Sequence, residues 1–105
     1  MVIYGLKNCD TCRKVRKSLP LAVFFDVREQ KMPIARLEAG NRRFGAAFLN
    51  TRSATWRGLS QTERTRPALE LLVEYPALMK RPFIVAGDQM YLGWTAQTRA
   101  ALGVS

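Results

Sequence analysis

The chain has 105 residues, 48% of them hydrophobic, with 17 Lys and Arg against 8 Asp and Glu and no histidine. That fits a single domain, 1–105, with material for a real core, and it removes His triads, His acid–base chemistry and His metal ligation. No stretch approaches the roughly 18 consecutive apolar residues of a membrane helix, and the start lacks the pattern of a secretory signal, so the expectation is a cytoplasmic, monomeric protein with no membrane partner.

Val2–Tyr4 is a short buried-strand candidate, and Gly5 opens a loop. From Thr11 the pattern turns helical, with Val15 and Leu19 on one face and Arg13, Arg16 and Lys17 on the others, until Pro20 stops it. Ala22–Val27, rich in β-branched and aromatic residues, is the second strand. Strand, helix and strand within thirty residues predict a βαβ unit with parallel strands. Met32–Gly45 is helical in type, with Pro33 suited to the first turn, although Gly40 and Asn41 weaken it. Residues 46–60 carry mixed signals, and no regular element is predicted there. Ser60 and Glu63 then read as a capping box with Glu63 reaching back, and a firmer helix follows over Pro67–Tyr75. Arg81–Trp94 is a β-hairpin turning at Gly87–Asp88. Thr95 caps a last helix that Gly103 ends. The order β-α-β, helical middle, β-β-α predicts an α/β (α+β) protein with a mixed four-stranded sheet flanked by helices and a helical insertion. This matches the thioredoxin-like plan. In that plan a cis-proline begins the third strand, and Arg81–Pro82 stands at that point.

Cys9 and Cys12 form the one Cys-x-x-Cys pair. A structural zinc wants four Cys or His ligands, so no metal is expected. A bridge across two residues contributes little stability, and a reducing cytosol opposes it. Redox chemistry fits better. At a helix start Cys9 meets unpaired N–H groups and the positive end of the helix dipole, which favour thiolate over thiol. Cys12, one turn on and on the same side, is placed to resolve a mixed disulfide on Cys9. Asn8 is a candidate for orienting the loop. Twelve of the 17 cations are arginine, spread from Arg13 to Arg99. Such scatter reads first as solvated surface and second as forked binding of oxyanions or carboxylates. No basic–aromatic module pattern accompanies it, and direct nucleic-acid binding is not expected. Trp56 and Trp94 read as core residues before they read as a groove floor.

The segments IYGLKNCDTCRK, FFDVRE, LNTRSATWRGLS, EYPALMKRPFIV and YLGW together resemble the arsenate reductase and Spx (ArsC-like, YffB-like) family of thioredoxin-fold proteins. In the reductase branch a first-loop cysteine attacks the oxidised substrate and arginines hold the oxyanion. The resemblance puts the nucleophile at Cys9 and the arginine before the proline at Arg81. It puts a middle-segment arginine at Arg57 or Arg52. Electrons would come from glutathione, glutaredoxin or thioredoxin as co-substrates, with no bound cofactor. A further arginine of that branch, just after the second hairpin strand, is replaced here by Gly93 and Trp94, which leaves the arsenate clamp one arm short. In the Spx branch the same cysteine pair is a disulfide switch in a regulator that binds RNA polymerase, and that remains the alternative.

Overall fold

The computed structural model describes residues 1–104. In chain order it contains β1 (Val2–Gly5), α1 (Asp10–Ser18), β2 (Val23–Asp26), α2 (Ile34–Phe44), α3 (Ala54–Arg57), α4 (Gln61–Arg64), α5 (Ala68–Glu74), β3 (Phe83–Ala86), β4 (Gln89–Leu92) and α6 (Ala96–Ala101), with 3-10 turns at Gly45–Phe48 and Pro76–Leu78. The chain divides into two compact units: Met1–Gln30 together with the segment from Arg81 onward, and Lys31–Lys80.

The first unit holds the sheet, ordered β2-β1-β3-β4. β1 pairs with β2 in parallel and with β3 antiparallel, and β3 pairs with β4 antiparallel. A parallel pair needs a crossover connection, and α1 supplies it. Register sets the two faces. Ile3 lies opposite Phe24 on one side and Ile84 on the other, and Ile84 lies opposite Tyr91. Ile3, Ile84 and Val15 of α1 are fully buried, and Leu19, Ala22, Phe24, Tyr91, Trp94 and Leu102 pack around them. Each of these three central side chains contributes about 1.5–3 kcal/mol by leaving water. Trp94 is therefore a core residue. On the alternate positions Tyr4 stands between Phe25 and Phe83, its ring 5.1 and 5.7 Å from theirs. The hairpin turns where predicted. Gly87 has φ +60 and Asp88 stays at negative φ, the pattern of a II′ turn. Thr95 caps α6 by accepting from the Thr98 N–H at 3.1 Å.

The second unit is helical, with α2 packed on α5. The expected weakening at Gly40 does not interrupt α2. The Phe48 ring lies so close that a Cβ on Gly40 would stand 2.4 Å from it, so glycine here makes room for a core aromatic. Residues 46–60, predicted to be irregular, contain the one-turn helix α3, held by Ser53 Oγ accepting from the Trp56 N–H at 3.1 Å. Trp56 is half-buried beneath the Arg64 guanidinium, 5.7 Å from its ring centre. Ser60 caps α4 as expected, accepting from the Glu63 N–H at 3.1 Å. The Glu63 carboxylate does not complete the box, because it is taken by Arg66 at 2.7 Å, a charge-assisted bond stronger than one to a neutral amide. Pro67 ends this turn and precedes α5 as its N-cap. No helix among the described residues is long and apolar enough to cross a membrane.

Candidate active site

The thiol loop begins where β1 ends. Leu6 is buried, and its carbonyl accepts from the Cys9 N–H at 3.2 Å, folding Leu6–Cys9 into a turn. Cys9 is the N-cap of α1 at φ −92, ψ 124, and its carbonyl accepts the Arg13 N–H at 3.0 Å. The side chain thus stands at the end of the helix where amides are unpaired and the dipole is positive. Cys9 is half-buried, whereas Cys12 is fully buried, and both are free thiols. Gly5 makes the seat for Cys12, since a Cβ there would come within 2.5 Å of the Cys12 sulfur.

These neighbours separate the two thiols electrically. Partial burial pulls the Cys9 pKa upward, but the Cys12 N–H, the Cys12 thiol and the hydrogen bond and charge of Arg81 outweigh it, and the net direction is down. Cys12 goes the other way. Burial is the largest cause, the Cys9 thiolate adds to it, and the Leu6 N–H and Arg81 only partly offset them, so Cys12 is pushed up to about 11. One sulfur is set to be a thiolate while its neighbour keeps a proton and donates it as a hydrogen bond.

Arg81 lies beside Cys9, acting on its sulfur through a hydrogen bond and its charge, and the Arg81–Pro82 peptide is cis. The Pro82 carbonyl accepts from the Gly93 N–H at 2.9 Å, which ties this corner to the end of β4. At the position where the reductase branch has an arginine, Gly93 is buried with φ +81 and Trp94 packs into the core.

The structure brings Cys9, Cys12, Arg81 and Pro82 together in the sheet unit. Asn8 is exposed at the tip of the thiol loop. Arg52 and Arg57 belong to the helical unit. The exposed Arg52 follows a turn in which Asn50 Oδ1 accepts its N–H at 3.1 Å, and it lines a shallow hollow with Asn50, Thr51 and Lys80. Arg57, exposed at the end of α3, has its carbonyl engaged by Arg64 Nη2 at 3.2 Å. Among the described residues no three metal-ligating side chains converge.

Asp26 escaped the sequence reading. The last residue of β2, it is only 8% exposed, and its carboxylate accepts the backbone N–H groups of Lys7 at 2.9 Å, Arg28 at 2.8 Å and Glu29 at 3.3 Å. Burial raises its pKa, but these three amides and the Lys7 charge hold it below the usual carboxylate value. The available signal was an acidic residue closing an otherwise apolar strand, VFFD.

Comparison with known proteins fits this geometry. The model of the ArsC family matches residues 4–102. An uncharacterised protein of Haemophilus influenzae is 32% identical over 103 residues, covering 90% of each chain. The solved structure of a YffB protein superposes with a TM-score of 0.88 at 28% identity, covering 95% of this chain and 96% of its own. An arsenate reductase (ArsC) related protein from Brucella melitensis superposes at 0.71 with 27% identity, covering 98% and 94%. With its mixed sheet, thiol loop at a helix start and near-complete match, the chain belongs to the ArsC family and has the thioredoxin-like fold.

Proposed function

We propose that the chain is a thiol-dependent reductase in which Cys9 is the nucleophile, Cys12 the resolving thiol and glutathione the electron source, directly or through glutaredoxin or thioredoxin. The observation that carries this reading is the convergence of the Cys12 N–H, the Cys12 thiol and Arg81 on one accessible sulfur. The Cys9 thiolate attacks one sulfur of an oxidised substrate R–S–S–R′. The Cys9–S bond forms as the S–S bond breaks, and R′S⁻ leaves. Cys9 then carries no charge, and with it go two of the influences that keep Cys12 protonated, the Cys9 hydrogen bond and the Cys9 charge. The Leu6 N–H and Arg81 persist and favour the Cys12 thiolate. Cys12 thus becomes a better nucleophile once it is needed. It attacks the Cys9 sulfur, RS⁻ departs, and two glutathione thiols return the Cys9–Cys12 disulfide to the dithiol as glutathione disulfide forms.

Arg81 also offers a fork for an anionic group of the substrate, a carboxylate or an oxyanion. With Arg81 beside the sulfur but no arginine at Gly93 or Trp94, disulfide substrates fit better than arsenate. Intact-protein mass spectrometry with glutathione disulfide tests the scheme. Cys12→Ser accumulates one glutathione per chain, the wild type passes to an internal disulfide, and Cys9→Ser takes up none. Absence of the adduct in Cys12→Ser refutes it. Capture of RNA polymerase by the oxidised chain, with no turnover of glutathione, would replace this reading with that of a disulfide-switched regulator.

A further inference from the structure

We infer that Asp26 is a positioning residue for the thiol loop: its buried carboxylate, bonded to the Lys7 amide, fixes where Cys9 sits. The inference rests on the reductase reading above, since it concerns the reactivity of the same sulfur. Lys7 precedes the nucleophile by two residues and is held at three points. Its N–H donates to Asp26 Oδ2 at 2.9 Å, its ammonium to Glu29 at 2.9 Å, and its carbonyl accepts from Arg13 Nε at 3.4 Å. The Asp26 bond is the one partly shielded from water. The other two are exposed and contribute little. The turn after β2 is itself built on Asp26, through the Arg28 and Glu29 amides on Oδ1 and the Glu29 and Gln30 amides on its carbonyl. The Val27 N–H to Gly5 carbonyl bond, 3.0 Å, continues the β1–β2 pairing up to the loop. One carboxylate therefore joins two segments 19 residues apart in sequence and sets the entry to α1, on which the Cys12 amide that faces Cys9 depends.

The chemistry of the bond makes a sharp test. Asparagine has the same shape but only one acceptor oxygen, so its amide NH₂ faces either the Lys7 N–H or the Arg28 and Glu29 N–H groups, donor against donor. The charged group that acts on the carboxylate is the Lys7 ammonium, itself paired with Glu29 at 2.9 Å, whereas Arg28 and Glu29 meet it through their backbone amides.

The experiment is the pH dependence of iodoacetamide alkylation of Cys9, with Cys9→Ser as blank, in the wild type, Asp26→Asn and Ile84→Val. The last variant loses core packing without touching the loop. The midpoint is expected to rise by about half to one pH unit in Asp26→Asn and to stay in place in Ile84→Val. An unchanged midpoint in Asp26→Asn overturns the inference and leaves the reductase reading standing. A wild-type midpoint at the free-cysteine value overturns that reading. If Asp26→Asn does not fold, amide NMR of the wild type decides. The Lys7, Arg28 and Glu29 amide resonances should shift together as Asp26 takes up its proton in acid. A Lys7 amide that does not follow overturns the inference.

Discussion

Replacing Gly5 by alanine tests how the thiol pair is seated. The new Cβ would stand 2.5 Å from the Cys12 sulfur, about 1 Å short of the roughly 3.5 Å at which buried atoms touch without strain. Its other neighbours, Cys12 Cβ and Phe24 Cε1, lie at 3.5 Å and tolerate it. The Gly5 backbone is not left-handed, so alanine brings no backbone strain. Overpacking of this kind costs about 1–3 kcal/mol, and removing glycine's freedom from the unfolded chain returns about 0.5–1 kcal/mol. The net expectation is a loss of about 1–2 kcal/mol. Cys12→Ala deletes the atom that clashes, so in that background Gly5→Ala should be neutral or slightly stabilising. Urea unfolding of the four proteins in reducing buffer completes a double-mutant cycle, with an expected coupling of about 1–3 kcal/mol. Additivity within about 0.5 kcal/mol would refute the seat of Cys12 beneath β1.

Arg81→Ala removes both a hydrogen bond and a charge from Cys9. Because the sulfur is half-buried and partly screened by water, its alkylation midpoint should rise by about one pH unit, with Arg81→Lys in between; an unmoved midpoint counts against the role of Arg81. The folded Cys12 keeps its proton up to about pH 11, whereas the unfolded thiol loses it near 9.0, so stability should fall as pH rises through that window. The loss is roughly 2–3 kcal/mol and should vanish in Cys12→Ala by urea midpoint against pH. Cys9 has the opposite sign, because its pKa is depressed, and its contribution is lost as pH falls through the folded value. In the helical unit, Gly40→Ala drives a Cβ to 2.4–2.9 Å from three Phe48 ring atoms, and a loss of about 1–2 kcal/mol in the melt is expected despite alanine's better helix propensity. An unchanged melting temperature contradicts that packing.

The parts of this molecule that were legible in the sequence are those whose cause is local. The β-branched and aromatic run at Val23–Asp26, the Gly87–Asp88 turn, the Ser60 and Thr95 caps and the Cys-x-x-Cys spacing each act within a few residues. The rest depends on partners distant in sequence. Gly40 reads as a helix breaker until Phe48 is seen lying on it. Gly5 reads as a loop residue, although it closes β1 and its missing side chain is where Cys12 fits. Glu63 looked like half of a capping box because Arg66, its actual partner, competes only once the chain has turned. Asp26 grips a backbone amide 19 residues away, and amides carry no sequence signature. Helix α3 is too short to be read, because its four residues hold one cap and too little periodicity.

The most direct test of the account is the thiolate absorbance of Cys9 against pH in Cys12→Ala beside the wild type. The account predicts a wild-type midpoint below the ordinary cysteine value, moving upward when the Cys12 thiol is removed. A wild-type midpoint at that value, unmoved by the substitution, would contradict it.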